Sequence, residues 1–558
     1  MRAIVSLVAV IAALTTPWAR CESAIGTHGA VATVDRIASQ AGIDAMRKGG
    51  NAVDAAIAAA LTLGVVNGYN SGIGGGCFIL IRRSNGEILC IDGRETAPAA
   101  ATRDMYLRDG KADPAASQTG ALASGTPGAL AAYALALESA GKLPLKEHLL
   151  AAARIAGGGF PIDKHYAAVL RESRGELAQF PAAAGVFLEA DGAPYREGEI
   201  FRQPDLARTY REIAENGPEW FYGGPFAISV EKWMKENHGL MTAADLGGYR
   251  AVLRPAISTD YRGYTVISFP PPSSGGVHLL EMLNMLETLR FSDPQFTEAD
   301  RIHFTAESMK LAFADRAYWL GDPDYVSVPR GLISKDYARS LAEKIDPAHV
   351  ITVASQGTPG DMEPFARHTT HLSTADAEGN WVALTTTINT HFGSKVVIPG
   401  TGVVLNNEMD DFSAQPGATN YFGLVGGEAN AIAPGKRPLS SMTPTLVLKN
   451  GKPILSVGAA GGPTIITQTL NIIVDVLDLG MDAQTAIDQP RFHHQWKPDE
   501  LRVERTMNPA LIADLRKRGH VVREETAIAA AQAVGIDPKT GGFLGAADRR
   551  VNGKAMAW

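Results

Sequence analysis

The segment 367–373, with the sequence RHTTHLS, contains side chains that could carry out nucleophilic catalysis. A threonine hydroxyl is a weak nucleophile unless a base lies beside it. If the threonine is the first residue of a chain, its own α-amine, with a reference pKa of about 7.7–8.0, accepts the proton. Thr369 could create that terminus by attacking the carbonyl of His368, giving an ester that water opens. Taken alone, two threonines at the start of a strand are also ordinary β-forming residues, so the segment leaves both interpretations open.

Patterns for other chemistries are weak. His368 and His371 are three residues apart and His493 and His494 are adjacent, but there is no HExxH motif and the three cysteines are too scattered for a zinc ribbon. The sequence also lacks a Walker loop, a kinase signature and a G-x-S-x-G elbow at its most suggestive serines. We therefore expect neither a metal nor a cofactor.

The first half of the chain is mainly helical in pattern. Residues 37–66 predict two helices, and the second is apolar almost all round, which indicates that it is buried. The glycine-rich run 72–76 fails as a dinucleotide loop because Cys77 occupies its sixth position and a strand follows, so close backbone packing is the better interpretation. Segment 77–94 predicts a hairpin around Asn85-Gly86, with Ile81 opposite Cys90 and two buried free thiols. Residues 125–350 are predicted to be mainly helical.

From residue 369 onward the pattern changes to strands. Hydrophobic and polar residues alternate on both sides of Glu378-Gly379-Asn380 and of Asn450-Gly451, which predicts pairs of strands joined by turns. Helices are predicted at about 463–480 and 507–518. This combination favours antiparallel sheets flanked by helices, an α+β fold, over a doubly wound parallel sheet.

Composition and the N-terminus limit where the protein works. The 558 residues are 45% hydrophobic and 20% charged with a net charge of −7, which excludes a disordered chain and argues against nucleic acid as the main partner. Residues 1–23 predict an export signal, with an apolar run from Ala3 to Leu14 too short to span a bilayer. We expect an exported, periplasmic or secreted protein with no membrane span after cleavage; a retained anchor is the alternative.

A series of segments gives the most specific signal: GGNAVDAAIAAALTLGVV, SGIGGG, DGRETAPAAATRDMYL, SGTPGA, RHTTHLSTADAEGN, TTTINTHFGSKVVIPGTGVVLNNEMDDFS, KRPLSSMTP, GAAGGPTIITQTL and GFLGAADRRVNGKA. In order and spacing they resemble the γ-glutamyltranspeptidase (glutathione hydrolase) family, from about Ala30 to the end of the chain. The resemblance implies an N-terminal-nucleophile hydrolase with a four-layer αββα sandwich and a helix-rich large-subunit portion. It also implies self-cleavage between His368 and Thr369, giving a large subunit (24–368) and a small subunit (369–558) that remain together as a heterodimer.

The resemblance also implies catalytic roles. Thr369 would be the nucleophile of both self-cleavage and catalysis, and Thr387 would lie beside its amine and hydroxyl. Gly461 and Gly462 match the glycine pair whose backbone N–H groups stabilise the oxyanion, a role that suits glycine because the backbone can approach the ligand closely.

The γ-glutamyl head of the substrate carries an α-carboxylate and an α-ammonium on one carbon, so its site needs both charges. By matching positions, Arg94, Ser440 and Ser441 would bind the carboxylate, and Asn389, Glu408 and Asp411 would hold the ammonium. Thr387 and Gly462 would also border the bound substrate.

The stretch 416–436 matches the lid loop of the family. Some bacterial relatives have a lid tyrosine where this chain has Phe422, with Tyr421 next to it, so a gate hydrogen bond to Asn389 is in doubt unless Tyr421 makes it. A second departure is Asn67-Gly68, where relatives usually have Glu-Pro.

The implied reaction is attack of Thr369 on glutathione or another γ-glutamyl amide, and transfer of the γ-glutamyl ester to water or to an amino-acid or peptide acceptor. One alternative is a cephalosporin (glutaryl) acylase, whose substrate lacks the ammonium and would leave Glu408 and Asp411 without a partner. Another is a catalytically inactive periplasmic binding protein, which would remain one intact chain.

Overall fold

The structure of the protein is a computed structural model that describes residues 23–289, 291, 293, 295–363, 365 and 373–558. His368 and Thr369, which form the predicted cleavage site, lie outside these residues, as does nearly all of the predicted export signal. In the part of the chain that is described, no helix combines the length and the apolar composition needed to cross a bilayer.

Within these residues, twenty-one strands form two large sheets and three small ones. In chain order the strands are β1 (Ala24–Gly26), β2 (Gly29–Thr33), β3 (Gly76–Arg82), β4 (Ile88–Gly93), β5 (Leu107–Arg108), β6 (Lys111–Ala112), β7 (Phe160–Pro161), β8 (Ile200–Phe201), β9 (Val252–Leu253), β10 (Ile257–Tyr261), β11 (Tyr264–Ser268), β12 (Thr374–Asp376), β13 (Trp381–Thr387), β14 (Thr445–Lys449), β15 (Lys452–Ala460), β16 (Phe492–His493), β17 (Leu501–Glu504), β18 (Val522–Glu525), β19 (Ala530–Ile536), β20 (Phe543–Ala547) and β21 (Lys554–Ala557).

The α-helices of the described residues are α1 (Arg36–Arg47), α2 (Ala52–Val66), α3 (Pro114–Gln118), α4 (Ala129–Ala140), α5 (Leu145–Gly158), α6 (Lys164–Leu177), α7 (Pro181–Phe187), α8 (Pro204–Asn216), α9 (Glu219–Tyr222), α10 (Pro225–Glu236), α11 (Ala243–Gly248), α12 (Ser274–Leu286), α13 (Glu298–Trp319), α14 (Lys335–Ala342), α15 (Thr464–Leu477), α16 (Ala483–Asp488) and α17 (Pro509–Lys517). Among the short 3₁₀ helices, Glu408–Asp411 borders the site described below.

The two large sheets each have seven antiparallel strands, in the orders β1-β20-β19-β15-β14-β11-β10 and β21-β2-β12-β13-β3-β4-β9. Helices α2 and α4 cover the second sheet, and α12, α15 and α16 cover the first, while β13 and β15 face each other between them. Successive side chains of β13 point to opposite faces of its sheet and so help to form two layers of the core. Trp381 and Ala383 pack between the two sheets, whereas Val382 and Leu384 pack under the helices. The predicted α+β fold with a four-layer αββα sandwich is therefore confirmed.

Each large sheet combines strands from both sides of the predicted cleavage site. In the second sheet, β2 lies between β21 and β12, and β13 pairs with β3. In the first sheet, β20 pairs with β1 and β14 pairs with β11. Separating the segments before and after residue 368 would break backbone hydrogen bonds at two or more junctions in each sheet. A cut at that position would therefore leave one folded unit.

The hairpin of β3 and β4 corrects one detail of the predicted register. Leu80, not Ile81, lies opposite Cys90, because Arg83 N–H donates to Glu87 O (2.9 Å) and closes a three-residue loop with Gly86 at φ 92°. Cys77 and Cys90 are buried and unbridged, as predicted, and burial raises the pKa of both thiols. Prediction also missed the hairpin of β10 and β11 inside the region expected to be mainly helical.

The glycine-rich run 72–76 brings backbone segments into close contact. A Cβ on Gly74 would lie 2.0 Å from Val404 O, and one on Gly75 would lie 2.0 Å from Thr387 O. These glycines therefore let the loop before β3 pack against the end of β13, in agreement with the packing interpretation of the run.

Replacing Gly75 by alanine should lower the free energy of unfolding by about 1–3 kcal/mol, because the new methyl group must displace the Thr387 carbonyl. Denaturant unfolding of purified protein measures this. The matched control is Gly175→Ala in α6, where nothing lies within 4 Å of the new Cβ. That change should stabilise the helix by up to about 1 kcal/mol. Equal stabilities of the two variants would show that the close contact is relieved at no cost.

Candidate active site

The predicted site residues that the structure describes all line one cavity of about 320 Å³. They come from the ends of β4, β13 and β15 and from the loops that follow them: Arg94, Thr387, Asn389, Glu408, Asp411, Tyr421, Phe422, Ser440, Ser441, Gly461 and Gly462. Residues more than 300 positions apart in the sequence thus share one chamber at the end of the two sheets.

Arg94 lies directly after β4 and is 1% exposed. Its Nε–H donates to Pro438 O (3.0 Å), one terminal nitrogen donates to Glu408 Oε1, and the other donates to Asp411 Oδ2 (2.5 Å). The arginine and the two acids therefore form one charged cluster in which the guanidinium is aimed by a backbone carbonyl. Such a cluster presents both signs of charge to the cavity.

Glu408 of this cluster and the neighbouring Glu95 both have strongly raised pKa values. Burial, with Asp411 nearby, raises the pKa of Glu408 to about 8 even though Arg94 opposes the shift. Burial and the proximity of Glu408 raise the pKa of Glu95 well above its usual range. Both Glu95 carboxylate oxygens lack a hydrogen-bond partner among the described residues, and Arg94 Nη1 is 3.8 Å away. Sequence reasoning missed Glu95, whose only signal was its position directly after Arg94.

Thr387 is the last residue of β13 and pairs with Gly76 of β3. Its Oγ1 accepts a hydrogen bond from Asn389 N–H (2.7 Å), so its own hydroxyl hydrogen remains free to donate. Asn389 has φ 74°, a left-handed conformation that is uncommon outside glycine. Its Nδ2 donates to Asn407 O (2.9 Å), which holds the side chain at the cavity wall.

Gly461 and Gly462 connect β15 to α15 with φ of 136° and 59°. A Cβ on Gly461 would lie 2.6 Å from Thr464 Oγ1, and one on Gly462 would lie 2.5 Å from the Phe422 ring. Neither backbone N–H donates a hydrogen bond to any described residue. Two adjacent unpaired N–H groups at the start of a helix favour binding of a negatively charged oxygen.

Ser440 and Ser441 line the same cavity and are held from behind by helix α12. Ser274 at the start of α12 donates from both its N–H and its hydroxyl to Ser440 O (2.8 Å each). Arg316 of α13 donates to Ser441 Oγ (3.2 Å). Arg316 is a second site-adjacent residue that sequence reasoning missed, because its position in the last turn of a long helix gave no sign of which residues it approaches.

The lid loop is fastened to the acids at the edge of the cavity. Tyr421 N–H donates to Asp410 Oδ2 (2.8 Å), and Asn420 Nδ2 donates to Asp411 Oδ1 (3.1 Å). Gln495 Nε2 donates to the lid backbone at Phe422 O (3.3 Å). These contacts hold the loop closed over the edge of the cavity in this structure, and Asp410 is one of its anchors.

The side chains at the lid tip differ in position. The Phe422 ring packs over Gly462, whereas the Tyr421 side chain is 57% exposed. The Tyr421 hydroxyl makes no hydrogen bond to any described residue, and Asn389 is bonded to Asn407 O instead. In this closed lid neither aromatic residue makes the gate hydrogen bond to Asn389.

A smaller cavity of about 110 Å³ adjoins the first and shares Thr385, Thr386 and Ala460 with it. Ser373, four residues after Thr369 in the sequence, lies in its wall. Ser456 Oγ donates to Ser373 Oγ (2.8 Å), which fixes the chain just before β12. The described chain thus enters the second sheet beside the candidate site.

Three buried side chains elsewhere, His303, Glu307 and His520, place possible metal-ligand atoms within 4.8 Å of one another. His303 and His520 already contact each other (2.8 Å), and Glu307 is already paired with a cation, since Lys310 Nζ lies 3.0 Å from its Oε1. We interpret this cluster as a structural contact between α13 and the C-terminal part of the chain.

Two antiparallel sheets between layers of helices, with a cavity at their edge, are the architecture of the N-terminal-nucleophile hydrolase class. Comparisons with known proteins give the family. The Gamma-glutamyltranspeptidase family model matches residues 38–558, and the chain therefore belongs to the γ-glutamyltranspeptidase (glutathione hydrolase) enzyme family.

Individual relatives include both hydrolases and acylases. The chain is 45% identical over 526 residues to the glutathione hydrolase proenzyme of Escherichia coli (strain K12), a match that covers 94% of this chain and 90% of that protein. It is 38% identical over 549 residues to the acylase ACY 1 proenzyme of Pseudomonas sp. (strain SE83), covering 96% and 95%. The solved structure of cephalosporin acylase from Bacillus halodurans is similar at TM-score 0.87 and 30% identity, covering 99% of both chains.

Proposed function

We propose that the protein is a self-processing γ-glutamyltransferase and glutathione hydrolase with Thr369 as its nucleophile. The observation that carries this proposal is the pairing, in one cavity, of two unpaired N–H groups at Gly461 and Gly462 with a buried cluster of both charges around Arg94. The first could stabilise an oxyanion, and the second suits an amino-acid head group. The glutathione hydrolase proenzymes among the relatives support the same reaction.

The first chemical step would be attack of the Thr369 hydroxyl on the γ-glutamyl amide carbon. The freed Thr369 α-amine would take the hydroxyl proton and pass it to the leaving amine, which for glutathione is cysteinylglycine. Thr387, whose hydroxyl hydrogen is free, would orient the nucleophile. Removing one donor of an oxyanion hole typically costs on the order of 100-fold in rate, so the two glycines would account for a large part of catalysis.

The second step would transfer the γ-glutamyl group from the threonine ester to water or to an amino-acid or peptide acceptor. In the substrate complex, Arg94, Ser440 and Ser441 would bind the α-carboxylate, and Asn389, Glu408 and Asp411 would hold the α-ammonium. Binding would redistribute the contacts of Arg94, since its terminal nitrogens are bonded to Glu408 and Asp411 in this structure.

Processing would give a large subunit from residue 24 to 368 and a small subunit of 190 residues. Interleaving of strands from both segments in both large sheets supports a stable heterodimer after the cut. The predicted export signal supports a periplasmic or secreted location.

A glutaryl acylase is the second candidate, favoured by the acylase relatives. A glutaryl substrate keeps the carboxylate but has no ammonium, so Glu408 and Asp411 would face no cation. The two substrates are compared by p-nitroaniline release from γ-glutamyl and glutaryl p-nitroanilides. We expect the γ-glutamyl compound to react faster; faster release from the glutaryl compound would reverse the assignment.

The pH dependence of this preference should report the ionisation of Glu408. Its raised pKa of about 8 means that the side chain is neutral at lower pH and becomes the carboxylate that an ammonium needs as pH rises. We therefore expect the ratio of kcat/KM for the γ-glutamyl compound to that for the glutaryl compound to rise about 10-fold between about pH 6.5 and 8.5. Titration of the nucleophile cancels in this ratio. In a Glu408→Gln variant the ratio should be flat, and an unchanged slope there would assign the titration to another group.

A further inference from the structure

Arg316 is a buried cation behind the carboxylate side of the cavity. It lies on α13 and is 5% exposed. Its Nε–H donates to Ser274 Oγ (2.9 Å) and its Nη2–H donates to Ser441 Oγ (3.2 Å). No carboxylate of the described residues forms an ion pair with it. A buried charge is normally paired, so this guanidinium favours an anion bound in the adjoining cavity.

The direction of these hydrogen bonds orients Ser441. A guanidinium nitrogen can only donate, so Ser441 Oγ must be the acceptor, and its own hydroxyl hydrogen must point elsewhere. Because Ser441 lines the cavity, the cavity is the direction left for that hydrogen. On its other side, Arg316 bonds to Ser274, which holds the Ser440 carbonyl with two hydrogen bonds.

Charge balance gives a second, independent reason for a cation here. The head group of an α-amino acid is zwitterionic and has no net charge, so a water-poor site for it should be close to neutral. Glu408 and Asp411 contribute two negative charges when ionised, whereas Arg94 contributes one positive charge. Burial lowers the pKa of Arg316 to about 10, which still leaves it charged at neutral pH. Once Glu408 is ionised, which occurs as pH rises through its pKa of about 8, Arg316 supplies the charge that balances the second acid.

We propose that Arg316 is a positioning and specificity-determining residue of the γ-glutamyl site, which directs the Ser441 hydroxyl hydrogen towards the α-carboxylate and balances the acids that hold the ammonium. The proposal rests on the proposed function of this site. Arg316 acts through Ser441 and through its charge, and it does not touch the reacting atoms.

The test compares Arg316→Gln, Arg316→Lys, Ser441→Ala and the Arg316→Gln/Ser441→Ala double variant with the γ-glutamyl p-nitroanilide. We expect Arg316→Gln to raise KM by on the order of 10-fold to 100-fold while kcat changes less than about 3-fold, because the contact that it supports serves binding. Arg316→Lys keeps the charge and should recover part of the loss. In the Ser441→Ala background, Arg316→Gln should raise KM only a few fold, because the hydroxyl that Arg316 orients is already gone.

Each result bears on a different claim. A wild-type protein that does not hydrolyse the γ-glutamyl compound overturns the proposed function, and this inference with it. If the wild type is active and Arg316→Gln keeps the wild-type KM, the inference alone is overturned. The same holds if Arg316→Gln raises KM as much in the Ser441→Ala background as in the wild type. If Arg316→Gln does not fold, Ser274→Ala, which removes the Nε partner and keeps the charge, must raise KM with kcat maintained; an unchanged KM there contradicts the proposal.

Discussion

A Thr369→Ala variant is expected to remain a single uncut chain, with no 190-residue fragment, and to release no detectable p-nitroaniline from the γ-glutamyl compound. Alanine has no hydroxyl to attack either the His368 carbonyl or the substrate amide. Loss of a covalent nucleophile in other hydrolases costs on the order of 10⁴-fold to 10⁶-fold in kcat. Denaturing gel electrophoresis and the anilide assay on the same preparation measure both losses.

Two neighbouring changes serve as controls for this variant. Thr369→Ser keeps a hydroxyl on the same atom and should still split and turn over substrate, although more slowly. Thr370→Ala leaves the proposed nucleophile intact and should be processed. A Thr369→Ala protein that divides into two chains would show that another residue or another protein makes the cut.

The second large effect is expected from Arg94→Ala. This change removes the proposed carboxylate contact and leaves two buried acids without their cation. We expect kcat/KM for the γ-glutamyl compound to fall by about 100-fold to 1,000-fold, mainly through KM, while self-cleavage continues because it involves no substrate carboxylate. Steady-state kinetics and a denaturing gel separate these two outcomes.

Arg94→Lys and Arg83→Ala complete the comparison. Lysine keeps the charge but cannot form the planar two-nitrogen contact with Glu408 and Asp411, so it should recover only part of the affinity. Arg83 pairs with Glu87 at an exposed hairpin and should be neutral when changed to alanine. An Arg94→Ala enzyme with wild-type KM would remove the arginine from substrate binding.

Much of the fold could be predicted from local pattern. The hairpin of β14 and β15 follows from alternation on both sides of Asn450-Gly451, and both tip residues have positive φ as a two-residue turn requires. The hairpin of β10 and β11 was missed although Ile257–Tyr261 alternates strictly between buried and exposed residues. It is short and lies among helices, so the surrounding helical pattern obscured it.

The register of β3 and β4 shows the limit of turn rules. Asn85-Gly86 predicts a two-residue loop, but the chain uses three residues, and this shifts every pair by one. The choice depends on how β3 fits against β13 and how its glycines pack beneath Thr387, which are long-range contacts. Local sequence does not contain that information.

The candidate site could be predicted only where the residues fall in the family's own motifs. Each matched residue in the described chain lines one cavity, and the structure adds their mutual geometry. Glu95 and Arg316 carry no such pattern, because the importance of each arises from burial beside residues distant in sequence. Asn420 is similar, since its contact with Asp411 depends on how the lid loop folds back.

The N-terminal sequence of the smaller band of the purified protein tests the terminal-threonine mechanism most sharply. We expect Thr-Thr-His-Leu, the sequence that begins at Thr369, on a fragment of 190 residues. An active enzyme that consists of one uncut chain, or a fragment that begins at any other residue, would contradict the use of a terminal threonine amine as the base.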